Sequence, residues 1–157
     1  MSFWPSEPSI PKRVSNGVSQ RVHEYHSKSW GAYRGAPLSG IDFAEGGQSS
    51  TGSIIRWAKI LFGAESLDYK DLDLEAESIE PGSDGLIALE TFQGSRTPET
   101  DPLARGALVG LTLSHTRARV WRAFMEAVCF GTRACIDGLE SAGHECEEII
   151  IAGGTTR

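Results

Sequence analysis

Glu147-Glu148-Ile149-Ile150-Ile151-Ala152-Gly153-Gly154-Thr155-Thr156-Arg157 closes the chain. A β-branched apolar run ending in paired glycines predicts a buried parallel strand over 148–152, followed by a tight turn. Glycine there lets the main chain approach a ligand closely, and a helix N-terminus normally follows to offer amide donors to an anion. That helix is not in the sequence, so the chain reads as part of a larger machine. Upstream, 116–142 predicts one long helix, in which Val120, Phe124, Val128, Gly131, Cys135 and Leu139 recur at three- and four-residue intervals along one face. Gly143 stands where a helix C-terminus favours glycine. Further back, 86–92 predicts a strand entered through the Pro81-Gly82 turn, and 108–113 predicts another. Strand, long helix, strand implies a βαβ unit with a right-handed crossover, which makes the fold class α/β. Ligands in such sheets bind beyond the carboxyl ends of the strands, where Gly153 and Gly154 sit.

The 157 residues suffice for one domain with a real core. Hydrophobic content of 39% and charged content of 23% fit a globular chain rather than a disordered one. A net charge of −6 argues against nucleic-acid binding, which relies on a basic face. No apolar run reaches membrane-spanning length, and residues 1–30 hold no uninterrupted apolar region of a signal peptide. Membrane insertion and secretion are therefore not expected, and a cytoplasmic location is. Cys129, Cys135 and Cys146 are odd in number and lack paired-ligand spacing. They are expected as reduced, mostly buried thiols, with Cys129 and Cys135 in the core.

Residues 1–40 are rich in Ser, Pro and Gly with weak apolar periodicity, which predicts an irregular N-terminal segment. His23 and His26 lie three apart there, without partner ligands nearby, and read as surface residues. The domain proper is expected over 41–157. It opens with Glu45-Gly46-Gly47-Gln48-Ser49-Ser50-Thr51-Gly52, where Ser49, Ser50 or Thr51 is placed to cap a helix. Ile54, Ile55, Ala58, Ile60, Leu61 and Phe62 give that helix an apolar face, and Gly63 marks its end. The run before it is either a ligand cradle or a plain loop, and spacing alone does not decide between them. An acidic helix is expected over 68–78, its carboxylates forming a solvated face. The loop 94–106 carries Arg96, Asp101 and Arg105 among prolines, which suits an Asp101–Arg105 bridge or a phosphate contact. His115, at the entry of the long helix, reads as a packing or capping residue. Gly143-His144-Glu145-Cys146 offers ligand types without zinc-site spacing, so no metal site is assigned.

The run Gly94-Ser95-Arg96-Thr97-Pro98, then Asp101-Pro102-Leu103-Ala104-Arg105-Gly106, then Gly110-Leu111-Thr112-Leu113-Ser114-His115-Thr116 resembles the FGGY carbohydrate kinases. The 45–52 segment is similar to their EGGQS segment, especially in the pentulose (ribulose and xylulose) kinase branch. Gly153-Gly154-Thr155-Thr156-Arg157 resembles the start of their adenosine motif. The resemblance implies most of the C-terminal domain of a two-domain, ATP-dependent sugar kinase of the actin-like, RNase H-like fold, truncated at its C-terminal end. It implies ATP and Mg²⁺ as cofactors, γ-phosphoryl transfer to a pentulose or related polyol, and nucleotide contacts at Gly52, Arg56, Gly153, Gly154 and Thr155. The Arg96 and Arg105 loop would shape the cleft side of the domain. In the family a catalytic aspartate, a threonine-containing phosphate turn and the sugar-binding domain lie upstream. None is found in residues 1–40, so no catalytic residue is assigned and turnover by this chain alone is expected to be negligible. Arg119 stands where the second family signature wants His, Asp, Glu, Asn or Gln, and Phe124 is bulkier than its usual counterpart. The alternative is a non-catalytic remnant used for protein contact or nucleotide sensing, with a second copy or the N-terminal domain as packing partner.

Overall fold

The computed structural model describes residues 30–34, 39 and 42–153. His23, His26, Gly154 and Thr155 fall outside them. In chain order come β1 (Trp30–Arg34), β2 (Asp42–Glu45), α1 (Gly52–Leu61), α2 (Tyr69–Glu77), a 3₁₀ turn (Ser83–Gly85), β3 (Ile87–Leu89), β4 (Ala107–Val109) and α3 (Arg117–Ser141). β1 pairs antiparallel with β2, with a register shift between Trp30 and Tyr33. It lies inside the stretch expected to be irregular.

α3 is the spine on which the rest is laid. Trp121, Phe124 and Ala127 are buried on it against Ile54 and Ala58 of α1, Leu72 and Ala76 of α2, and Leu86 and Ala88 around β3. Phe124, Gly131, Cys135 and Leu139 are buried as the periodicity predicts, whereas Val120 and Val128 are half-buried. The buried stripe is wider than that one face, because Trp121, Ala123, Ile136 and Gly138 are buried too. A helix packed on more than one side needs more than one row of apolar residues. Cys129 is exposed on α3 beside exposed Phe130, so only Cys135 of the helix pair belongs to the core. Burial, then the charge of Glu90, pushes the Cys135 thiol up to about 11.

α1 and α3 end by one device. The amide of Gly63 bonds the Ile60 carbonyl at 2.9 Å and that of Ala64 bonds the Lys59 carbonyl at 3.0 Å. At the end of α3, Gly143 bonds Glu140 at 2.9 Å and His144 bonds Leu139 at 3.0 Å. This paired 5→2 and 6→1 pattern needs a left-handed residue, and Gly63 and Gly143 supply it with φ of +61° and +89°. On α1 only Ile54 and Ala58 are buried, and Ile60 and Leu61 face solvent. The carboxylates of α2 do more than face water. Asp71 accepts the Asp68 amide at 3.0 Å, Asp73 accepts the buried Trp121 indole at 2.9 Å, and Glu75 pairs with Arg117 of α3.

The expected βαβ unit is not formed. β3 and β4 are antiparallel, with Ile87 opposite Val109 and Leu89 opposite Ala107. β4 stops early because Gly110, at φ +93°, turns the chain; a Cβ there would lie 2.5 Å from the Gly85 carbonyl. The segment 148–152 is not a strand, and Ile149, Ile150 and Ile151 are 54%, 82% and 65% exposed. β-branched residues favour extended backbone, but a strand exists only where a neighbour completes its ladder. Among the described residues none lies beside this run.

Candidate functional site

The 45–52 segment is fixed from three directions. The Gly47 amide donates to Thr97 Oγ1 at 3.1 Å, and the Ser50 hydroxyl donates to the Glu90 carbonyl at 3.3 Å. Gln48, buried, donates through Nε2 to the Val128 carbonyl of α3 at 3.1 Å and accepts the Thr132 hydroxyl through Oε1 at 3.2 Å. Its amide lies where a side chain at Gly131 would begin: a Cβ there would overlap Gln48 Nε2 and fall 2.5 Å from Glu90 Oε1. The Cys135 thiol donates to the Thr97 carbonyl at 3.7 Å. Segment 45–52, loop 94–106 and α3 thus meet at one buried polar junction.

From that junction the chain enters α1. Thr51 is its N-cap without a side-chain capping bond, and the first turn holds no acidic residue. Ser50, placed by sequence to cap, spends its hydroxyl on Glu90 instead. Gly52 is the first helical residue, and a Cβ built on it meets nothing within 4 Å. Its φ is not positive, so neither backbone nor packing asks for glycine there. Arg56 is exposed one turn further on, on the face that i,i+4 spacing shares with Gly52. Gly153 is exposed at the end of segment 144–153 with φ +100°.

Loop 94–106 is closed on itself. Ser95 and Asp101 exchange backbone bonds of 2.8 and 3.1 Å, and the Asp101 carboxylate caps the Leu103 amide at 2.8 Å. Arg105 donates to the Pro102 and Ala104 carbonyls at 3.2 and 2.8 Å, so the Asp101–Arg105 bridge is replaced by backbone contacts. Gly106 is required because a Cβ would overlap the Phe92 ring.

His115 holds a turn. Its Nδ1 accepts the Thr112 amide at 2.9 Å and lies 2.9 Å from Thr112 Oγ1, while buried Nε2 has no hydrogen-bond partner among the described residues. Arg119 donates through Nε to Asp84 Oδ2 at 2.8 Å. Asp84 belongs to four successive residues with positive φ, Gly82 to Gly85, at +93°, +48°, +60° and +85°. Two of them are not glycine, and such backbone persists only where its surroundings hold it. Glu126 of α3 does so, accepting the Gly82 amide at 3.0 Å, the Ser83 hydroxyl at 3.2 Å and Arg122 Nε at 2.8 Å. Burial pushes the Glu126 carboxyl up, but these three donors together outweigh it and hold the group below its ordinary 4.5. A depressed carboxylate contributes stability at neutral pH that is lost as pH falls through its folded value. Glu126→Gln should therefore destabilise the domain at neutral pH, and urea titrations should show the gap to wild type closing below 4.5.

The family model described as the FGGY family of carbohydrate kinases, C-terminal domain, matches residues 23–157. The chain belongs to this family. The ribulokinase of Halalkalibacterium halodurans is 32% identical over 121 residues, 70% of this chain and 21% of that protein. The xylulose kinase of Lactococcus lactis is 28% identical over 148 residues, 90% of this chain and 29% of its own. Among solved structures, xylulose kinase from Rhodospirillum rubrum superposes with a TM-score of 0.69 at 36% identity, over 76% of this chain and 24% of that one. Plasmodium falciparum glycerol kinase with ADP gives a TM-score of 0.60 at 25% identity, over 72% and 22%. The fold is thus that of the C-terminal domain of the actin-like, RNase H-like sugar kinases. The chain spans between a fifth and a third of these relatives' length. Within the FGGY frame Arg119, the departure from the signature, has its own anionic partner in Asp84. Phe124 fills the centre of an aromatic cluster, edge-on to Trp57 and Phe92 at 5.9 Å each. Sequence reading missed Gln48, Thr97, Thr132 and Glu126. The available signal was Gly131, since glycine inside a helix costs about 1 kcal/mol against alanine and marks a close approach.

Proposed function

We propose that this domain forms the nucleotide side of an ATP-dependent sugar kinase acting on a pentulose or related polyol. Gly52 carries the reading: a glycine that neither the backbone nor the packing requires, opening a helix whose first turn has no side-chain cap and no acid. That combination suits close approach of an anionic ligand to the main chain. Arg56, on the same face, offers a planar guanidinium for a purine or a phosphate. Gly153, Gly154 and Thr155 complete the proposed contacts, and the solved glycerol kinase relative with ADP supports the ligand class. Bound ATP supplies the γ-phosphoryl group. This chain's residues orient the nucleotide and exclude water from one wall of the cleft. Mg²⁺ would enter on the nucleotide phosphates. The aspartate that accepts the sugar proton is proposed to lie outside this chain, and turnover by the chain alone to be negligible. We place the protein in the cytoplasm.

A second reading has its own support. Ile87, Leu89 and Val109 leave one face of the β3–β4 hairpin apolar and exposed, as a protein-contact module would.

Calorimetric titration of the chain with Mg²⁺·ADP tests the first reading. Wild type is expected to bind, and Arg56→Ala to bind about five- to tenfold more weakly. Gly52→Ala should weaken binding while leaving the fold intact, since its Cβ meets nothing in the protein. A wild type that produces no heat with ADP at millimolar concentration would overturn the reading.

A further inference from the structure

We propose that Gln48 is the positioning residue of the nucleotide helix: its buried amide reads one turn of α3 and thereby sets where the first turn of α1 stands. The proposal rests on the nucleotide reading of Gly52 and Arg56 given above.

Val128 and Thr132, two partners of the Gln48 amide, are one helical turn apart on α3. An amide that donates to one and accepts from the other has a single orientation, because its donor and acceptor ends are not interchangeable. Gly131 lies between them and leaves the space that the amide fills. The link is therefore directional as well as close. Gln48 is four residues before Gly52, and the intervening Ser50 is tied to the Glu90 carbonyl at 3.3 Å. With no side-chain cap of its own, the start of α1 takes its position from these upstream anchors. A plain packing role would be met by any apolar residue of similar volume, such as methionine. The polar link instead requires a matched amide, since a buried donor or acceptor without its partner is costly.

The test uses this chain with Gln48→Met and, as the milder change, Thr132→Val, which removes only the hydroxyl given to Gln48 Oε1. The first readout is amide hydrogen exchange of the free protein. In both variants exchange at residues 53–56 is expected to accelerate at least tenfold while that of α2 is unchanged. The second readout is affinity for Mg²⁺·ADP, expected to weaken about fivefold in Thr132→Val and more in Gln48→Met. The double variant should weaken no further than Gln48→Met alone, because one link is cut twice. Unchanged exchange at residues 53–56 in both variants, with only a lower melting temperature, overturns the positioning role. A wild type that binds no ADP overturns the nucleotide reading instead, and the exchange data then still decide whether Gln48 sets α1.

Discussion

Phe124→Ala is expected to remove about 3–5 kcal/mol of stability, among the largest losses any single truncation in this domain should cause. Phe124 is fully buried, and its ring lies edge-on to both Trp57 of α1 and Phe92 beyond β3. Trp57 and Phe92 touch one another at 5.1 Å, so three elements share one aromatic triangle. Truncation removes the corner on α3 and leaves two rings facing a cavity that helix backbones cannot close. The transfer and cavity contributions add, and two edge-to-face contacts go with them. For a chain of this size the loss corresponds to a fall in melting temperature of about 10 °C. Phe130→Ala is the control: it removes a phenyl ring from the same helix, but one that is 69% exposed. It should change stability by no more than about 0.5 kcal/mol. Urea titrations of the two variants decide the matter, and a loss below about 1 kcal/mol at Phe124 would mean the triangle does not hold α1 to α3.

The helices were legible from local sequence, as were the short strands β3 and β4 within or beside the stretches 86–92 and 108–113, but how the strands pair was not. α3 announces itself through three- and four-residue periodicity and Gly143, and both are properties of the segment itself. α1 and α2 follow the same logic, with boundaries within a residue of expectation. Ile149-Ile150-Ile151 misled because a β-branched run records only a preference for extended backbone. Its pairing is decided by chain elsewhere, and the run is exposed here. The site divides in the same way. The motif segments identify the family, and Gly52 and Arg56 fall on one accessible helix face. Gln48, Thr97 and Thr132 stayed hidden because their bonds join residues 38 to 84 positions apart. Nothing local marks a glutamine as the partner of a particular helical turn. Arg119 was legible only as a departure, and its reason, Asp84, lies 35 positions away.

Gly131→Ala sets two effects of opposite sign against each other. In an isolated helix the change would stabilise by about 1 kcal/mol, because alanine loses less conformational freedom. Here the new methyl would overlap the Gln48 amide and crowd the Glu90 carboxylate at 2.5 Å. Both are the ends of flexible side chains, so the clash can be relieved, but Gln48 is buried and cannot swing into water without leaving its bonds. Releasing it strands a buried amide at a cost of about 1–3 kcal/mol, and residual overpacking adds about 1–3 kcal/mol. These outweigh the helix gain, for a net loss of about 1–5 kcal/mol. Gly52→Ala provides the comparison within one protein. Its Cβ meets no atom within 4 Å, so only the favourable effect on the unfolded chain and helix remains. Thermal unfolding should therefore move down for Gly131→Ala and slightly up for Gly52→Ala. If Gly131→Ala instead melted above wild type, the Gln48 amide would not occupy the α3 groove, and the buried junction joining segment 45–52, loop 94–106 and α3 would have to be abandoned.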